Sequence, residues 1–275
     1  MSRTTFCLLL LLSAATCVFS QTQASNVPTR TVSAVVLLRE AKVPDFRALL
    51  PVLRKDWNLQ IDSFSLTDKK LTAYSGGLSI VLQYVSYPVA AAEIAAVLEG
   101  AWLWGTAREE VPRHQAQLTI AVLGKGQTPL NTYQTYTRVA AAVLENTRAY
   151  GIYLPRHYLL LPRGFFLEAA RQMEQDELPL YCWIYFGMFQ LDGLSCAYTY
   201  GLDDFGMLDL EIVRTPRSLA EAHAILYDAV RDALKTGKPW QEGAILESLD
   251  GERFRLRRVR SPYIENREML QLQKL

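Results

Sequence analysis

Few side chains in this chain are suited to chemistry, and the histidines come first. There are three, His114, His157 and His223. His114 stands just before an apolar stretch, beside Arg113 and close to Glu109 and Glu110. A histidine oriented by a carboxylate is the arrangement of a general base. His114 with Glu110, or with Asp203 if the fold brings it near, is therefore the candidate catalytic pair. The competing reading, and the favoured one, is a strand-entry histidine bonded to backbone. His157 sits among prolines and a tyrosine, His223 on an Ala-rich helix. No spacing pairs them, so a three-histidine metal site needs the fold to gather them. "GLDDFGMLDLE" adds Asp203, Asp204, Asp209 and Glu211. These acids lack calcium-loop spacing. Strand alternation puts Asp209 and Glu211 on one face and Leu208, Leu210 and Ile212 on the other, as in an ordinary half-exposed strand. No metal and no cofactor is expected.

Two further stretches look chemical but have simpler readings. "GKGQTP" (124–129) places Lys125 between two glycines, whereas a phosphate loop needs Gly-Lys-Ser/Thr, so a turn is expected. "RFRLRRVR" puts Arg253, Arg255 and Arg257 on one strand face, suited to an acidic partner or to protecting a sheet edge. No nucleophile elbow, HExxH or dinucleotide fingerprint occurs.

The densest aromatic stretch is "YCWIYFGMFQLDGLSCAYTY" (181–200). Asp192-Gly193 is a strong two-residue hairpin signal. It sets Leu191 opposite Leu194, Phe189 opposite Cys196, Gly187 opposite Tyr198, Tyr185 opposite Tyr200 and Trp183 opposite Leu202. Trp183, Tyr185, Phe189, Tyr198 and Tyr200 then share one face, and Cys182, Ile184, Phe186, Met188 and Ala197 share the other. The second face reads as core. The first is the candidate binding face, partly open to solvent or an interface, with a second buried layer as the alternative. Tyr198 is placed to shield Gly187. Cys182, opposite Asp203, is too far from Cys196 for a disulfide, so two free thiols are expected.

These residues must be carried by alternating strands and helices. Strands are expected at 33–40, 77–87, 115–123 and 207–214, in a pair covering "LQIDSFSL" and "KKLTAYS", and at "GIYL" and "ERFRLRRVR". Helices are expected after Pro44, with a kink or break at Pro51, after Pro88, from Thr128-Pro129 to a terminator at Gly151, over 162–176, and from a Ser218/Glu221 capping box to Gly237. Hairpins mixed with helices give an α+β fold of mixed or antiparallel sheets with helices packed on them. Two similar ferredoxin-like halves, 32–124 and 125–275, are expected to pack as one unit.

The chain has 275 residues, 50% hydrophobic and 21% charged, with net charge +1. That excludes a disordered chain and gives no global field towards nucleic acid. "MSRTTFCLLLLLSAATCVFS" has the charged, apolar and small-residue regions of a secretory signal peptide over 1–20. Its apolar run is too short to span a bilayer. Cleavage is expected after Ser20, with Ala24 second, and lipidation of Cys17 ranks below both. A polar leader, 21–31, follows. The mature protein is expected to be periplasmic or secreted, without a membrane span.

Three stretches resemble the family of domain of unknown function 4261: "AWLWGTAREEVPRHQAQLTIAVLG", "YTRVAAAVLENTRAYGIYL" and "TYGLDDFGMLDLEIVRTPRSLAEAHAILYDA". The likeness runs from about Val35 to Val259. It implies no activity, catalytic residue or cofactor. The family pattern has a second histidine where this chain has Gln117, which argues against a histidine pair, and the signal peptide is an addition to it. Together these readings favour an exported protein that acts by binding, with another protein as partner. The rivals are a hydrolase-like enzyme using His114 and a small-ligand or peptide binder using the aromatic face. Intact mass of the exported protein should place the mature N-terminus at Gln21 or Ser25; retention of Met1 would contradict the signal peptide.

Overall fold

The computed structural model describes residues 29–275, so the expected signal peptide and nearly all of the leader lie outside the described residues. The order is β1 (Thr29–Leu38), α1 (Phe46–Lys55), β2 (Ser63–Thr67), β3 (Lys70–Ser75), β4 (Leu78–Val85), α2 (Ala91–Leu98), α3 (Ala107–Glu110) and β5 (Ala116–Lys125). Then come α4 (Pro129–Glu145), β6 (Ala149–Leu154), β7 (Leu159–Pro162), α5 (Arg163–Met173), β8 (Tyr185–Leu191), β9 (Leu194–Tyr200) and β10 (Leu210–Thr215). The chain closes with α6 (Leu219–Thr236), β11 (Ile245–Glu247), β12 (Arg253–Arg260) and β13 (Glu268–Lys274). The expected α+β class is observed.

The first sheet has the order β2-β3-β4-β5-β1-β6-β7, with every pair antiparallel. Strict alternation in β4 and β5 turns Leu78, Ile80, Leu82, Leu118, Ile120 and Val122 into the core. Helix α4 packs there against β1 and β5, with α1 and α5 beside it. It buries Tyr133, Tyr136, Val139, Val143 and Leu144, the pattern of a helix enclosed on most sides. On the opposite face, Leu37, Tyr153 and Leu160 are covered by Ile94, Val97, Trp104 and Val111.

The second sheet has the order β11-β12-β13-β10-β9-β8. Its β10–β13 pair is parallel and the rest are antiparallel, so the sheet is mixed. Helix α6 covers β8, β9 and β10. The ferredoxin-like halves do not appear. β4 and β5, on either side of α2, are antiparallel neighbours, where a split βαβ unit needs a parallel crossover. β6 and β7, from beyond residue 124, complete the first sheet.

Local details depart from expectation for physical reasons. Helix α1 continues through Pro51, whose ring lies on the exposed side, where water can serve the freed carbonyl. Helix α4 starts at the expected Thr128 cap but ends at Glu145. Gly151 is instead inside β6: a Cβ there would lie 2.1 Å from the Leu161 carbonyl oxygen and 2.6 Å from Trp104. Arg253, Arg255 and Arg257 are exposed as expected, but β12 is an inner strand, because β11 takes the edge. In α6, Ser218 accepts from the Glu221 amide while Glu221 accepts from the Ser218 amide, and Gly237 closes the helix at φ 66°. Ser218→Ala should lower stability by about 1 kcal/mol, read as a fall in the denaturation midpoint; an unchanged midpoint would show the cap to be idle.

Candidate functional site

His114 is a structural residue. It is buried; its Nε2 accepts from the Val89 amide at 2.8 Å and its Nδ1 lies 2.6 Å from the Val111 carbonyl oxygen, to which it donates. Both nitrogens are thus committed to backbone. Glu110 accepts from Trp104 Nε1 at 3.0 Å. Asp203 engages two arginines instead. The proposed pairing of His114 with either acid does not form. His223 stacks on Tyr181, with its Nε2 3.2 Å from the Tyr181 hydroxyl, so the three histidines are not gathered.

The acids of the 203–211 segment do converge, on partners the sequence did not suggest. Asp204 follows β9 in a short helical turn, Leu202–Phe205. It accepts from the Tyr133 hydroxyl of α4 at 2.6 Å and from Arg156 Nε at 2.9 Å, and lies 3.2 Å from His157 Nε2. Burial raises its pKa, but hydrogen bonds from His157 and Tyr133 and the Arg156 charge prevail and hold it below the usual carboxylate value. Asp203 bonds Arg156 at 2.8 Å and Arg267 at 3.2 Å. Asp209 accepts from Arg267 at 2.6 Å, Thr199 Oγ1 at 3.0 Å and the Leu202 amide at 3.1 Å. Burial pushes Asp209 up, opposed by the Arg267 charge. Glu211 accepts from Ser261 Oγ at 2.8 Å and Gln271 Nε2 at 3.2 Å. Asp209 and Glu211 are therefore buried, not on a half-exposed face; β13 and the 261–267 segment cover them. His157, Asp203 and Asp204 bring potential ligand atoms within 4.8 Å of one another, but a cation there would have to displace Arg156 from both carboxylates.

The aromatic hairpin has the expected register, with Tyr185↔Tyr200, Gly187↔Tyr198, Phe189↔Cys196 and Leu191↔Leu194. Tyr198 covers Gly187 so closely that a Cβ would lie 2.2 Å from its ring. The aliphatic side is core: Ile184, Phe186 and Ala197 are buried. Cys182 and Cys196 are free and buried. Trp183 departs from the binding face. The segment Leu180–Cys182 forms a helical turn, β8 starts only at Tyr185, and the Trp183–Leu202 and Cys182–Asp203 pairs do not form. Trp183 is wholly buried and donates from Nε1 to Thr137 Oγ1 at 2.8 Å.

Tyr185, Phe189, Tyr198 and Tyr200 stay partly open. Three of them, Tyr185, Tyr198 and Tyr200, line a cleft of about 450 Å³ together with Tyr158, Tyr263, Glu265 and the end of α2 at Val97 and Gly100. Tyr158 meets Tyr200 edge-on at 5.5 Å. Tyr185 lies 6.1 Å from Tyr198. Phe189 stands behind, edge-on to Tyr263 at 4.8 Å. Burial and the neighbouring Tyr198 push the Tyr185 phenol up to about 12, so it stays neutral at ordinary pH.

Residues 198–273 match the family model of the domain of unknown function DUF4261. No curated protein and no solved structure matches the chain. The DUF4261 segment contains the last of the three stretches that carry the resemblance; the other two lie outside it. It supplies Asp203, Asp204, Asp209 and Arg267 to the charged junction and Tyr198, Tyr200 and Tyr263 to the cleft. Sequence reasoning missed Tyr133, Arg156, Tyr158, Tyr263 and Arg267. Tyr158 gives no local signal, since its position depends on a left-handed backbone at φ 53°. Among the described residues no helix is long and apolar enough to cross a membrane.

His223 supplies a pH test. Burial among Tyr181, Phe186 and Tyr227 lowers its pKa below the ordinary 6.5. A depressed histidine favours folding while neutral, so its contribution is whole above about pH 6.5 and is lost as pH falls towards the folded-state pKa. The urea midpoint should fall more between pH 7.5 and 5.5 in the wild type than in His223→Gln; equal falls would contradict it.

Proposed function

We propose that this is an exported binding protein whose ligand enters the tyrosine-lined cleft. The observation that carries the reading is the cleft itself, about 450 Å³ with five tyrosines in its wall. Small-molecule sites are concave and largely aromatic, with few polar groups, and fall in roughly this size range. Tyrosines give rigid contact area with a polar end. A concavity of this size suits a small ligand or the tip of a peptide better than the broad face of a protein partner. Commitment of both His114 nitrogens to backbone removes the base on which the hydrolase reading relied. The test compares wild type with Tyr158→Asn/Tyr200→Leu, both verified as folded by circular dichroism. Each is incubated with native extract, recovered and denatured, and the released material is read by mass spectrometry. A species recovered with wild type and lost with the variant is expected. Equal recovery with both would overturn the reading.

A further inference from the structure

The cleft wall also has a charge character. Its aromatic lining comes from Tyr158, Tyr185, Tyr198, Tyr200 and Tyr263, and its one charged lining residue is Glu265. Glu265 is exposed and makes no ion pair among the described residues. Among the described residues no lysine or arginine lines the cleft. The Arg267 guanidinium is already placed: its Cζ lies 4.0 Å from the Tyr200 ring centroid while its nitrogens serve Asp203 and Asp209. An anion would meet π-electron density and a carboxylate, with only the phenol O–H groups to donate to it. A neutral apolar ligand would leave Glu265 without a role. A cation gains from both, because ring faces attract positive charge within about 6 Å and do so best when the cation gives up little hydration.

Resting on the reading of the cleft as a binding site, we propose that its ligand is an organic cation of the quaternary ammonium class, held among the tyrosine rings with Glu265 at the rim. A primary ammonium is a strongly hydrated point charge with three donors, so the phenol oxygens and Glu265 would have to replace its water. A methylated ammonium brings none and presents a spherical, weakly hydrated charge to several rings at once. Tyr158 is the outermost ring, 52% exposed, and it closes the cleft over Tyr200.

The test is titration calorimetry of the mature protein with choline and with 3,3-dimethylbutan-1-ol, which has the same shape without the charge. Choline should bind saturably, and the neutral alcohol about tenfold more weakly or not at all. Tyr158→Asn should weaken choline about tenfold; asparagine tolerates the left-handed backbone there. Glu265→Gln should weaken choline and leave the alcohol unchanged. Sedimentation with phosphatidylcholine vesicles, against phosphatidylglycerol vesicles, separates two sources of the group. Selective sedimentation identifies a lipid headgroup, and choline binding without it identifies a free ligand; both support the proposal. Absence of saturable choline binding by folded wild type, or equal binding of the alcohol, overturns it. If tyrosine-dependent recovery from extract persists in that case, the cleft remains a binding site and only the cation assignment falls.

Discussion

The two sheets depend on one set of shared charges. Arg156 and His157 leave the first sheet in the turn between β6 and β7 and meet Asp203 and Asp204, which leave the second sheet after β9. Tyr133 reaches the same carboxylate from α4. Arg267, just before β13, holds Asp203 and Asp209 from the far side. The neighbours of these residues in sequence build the cleft. Tyr158 follows His157, Tyr200 precedes Gly201-Leu202, and Tyr263 and Glu265 precede Arg267. Fixing the charges therefore fixes where the rings stand.

Such a junction is costly unless its charges are paired. Removing one partner from the buried Arg267–Asp209 pair costs roughly 3–5 kcal/mol, whereas the half-exposed Arg156–Asp203 pair contributes only what a surface pair does. The sharing is dense: Arg156 and Arg267 each bridge two aspartates, and Asp209 also takes a hydroxyl and an amide. The packing leaves residual costs. Among the described residues His157 Nδ1 and the Tyr136 hydroxyl are buried without a partner, each a penalty of about 1–3 kcal/mol. Gly201 is needed twice over. Its φ is 118°, and a side chain there would meet the His157 ring at 3.1 Å.

Legibility in the sequence follows the range of the forces. The β8–β9 register was legible because a two-residue turn and a period of two set it locally, and the pairs Tyr185–Tyr200 and Gly187–Tyr198 came out as expected. The capping box was legible for the same reason. Asp209 and Glu211 read locally as half-exposed because what covers them comes from far along the chain: β13 pairs parallel with β10 at Leu210↔Leu270 and Glu211↔Gln271. Trp183 is not legible, because the alternating pattern runs on past Tyr185 while the chain turns there to sink the indole against Thr137. Gly151 reads as a helix stop until the Leu161 carbonyl and Trp104 are seen packed on it. The candidate site was half legible. Its hairpin tyrosines are local, but Tyr158 and Tyr263 arrive through the charge network, which no local pattern announces.

The family match has a structural consequence of its own. Residues 198–273 hold β10 to β12, α6, nearly all of β13 and the last three residues of β9, with four of the charged residues. Their counterparts, Tyr133, Arg156 and His157, lie outside that segment, as do Tyr158 and Tyr185 and the α2 end that closes the cleft at Gly100. At Gly100 the absent side chain matters, since a Cβ would lie 3.0 Å from the Tyr185 hydroxyl. The matched segment alone would expose Asp203 and Asp204 without Arg156 and would leave Tyr200 without Tyr158. The cleft is thus a product of the joint between the two sheets. Its shape is set by residues that flank the matched segment as much as by those within it.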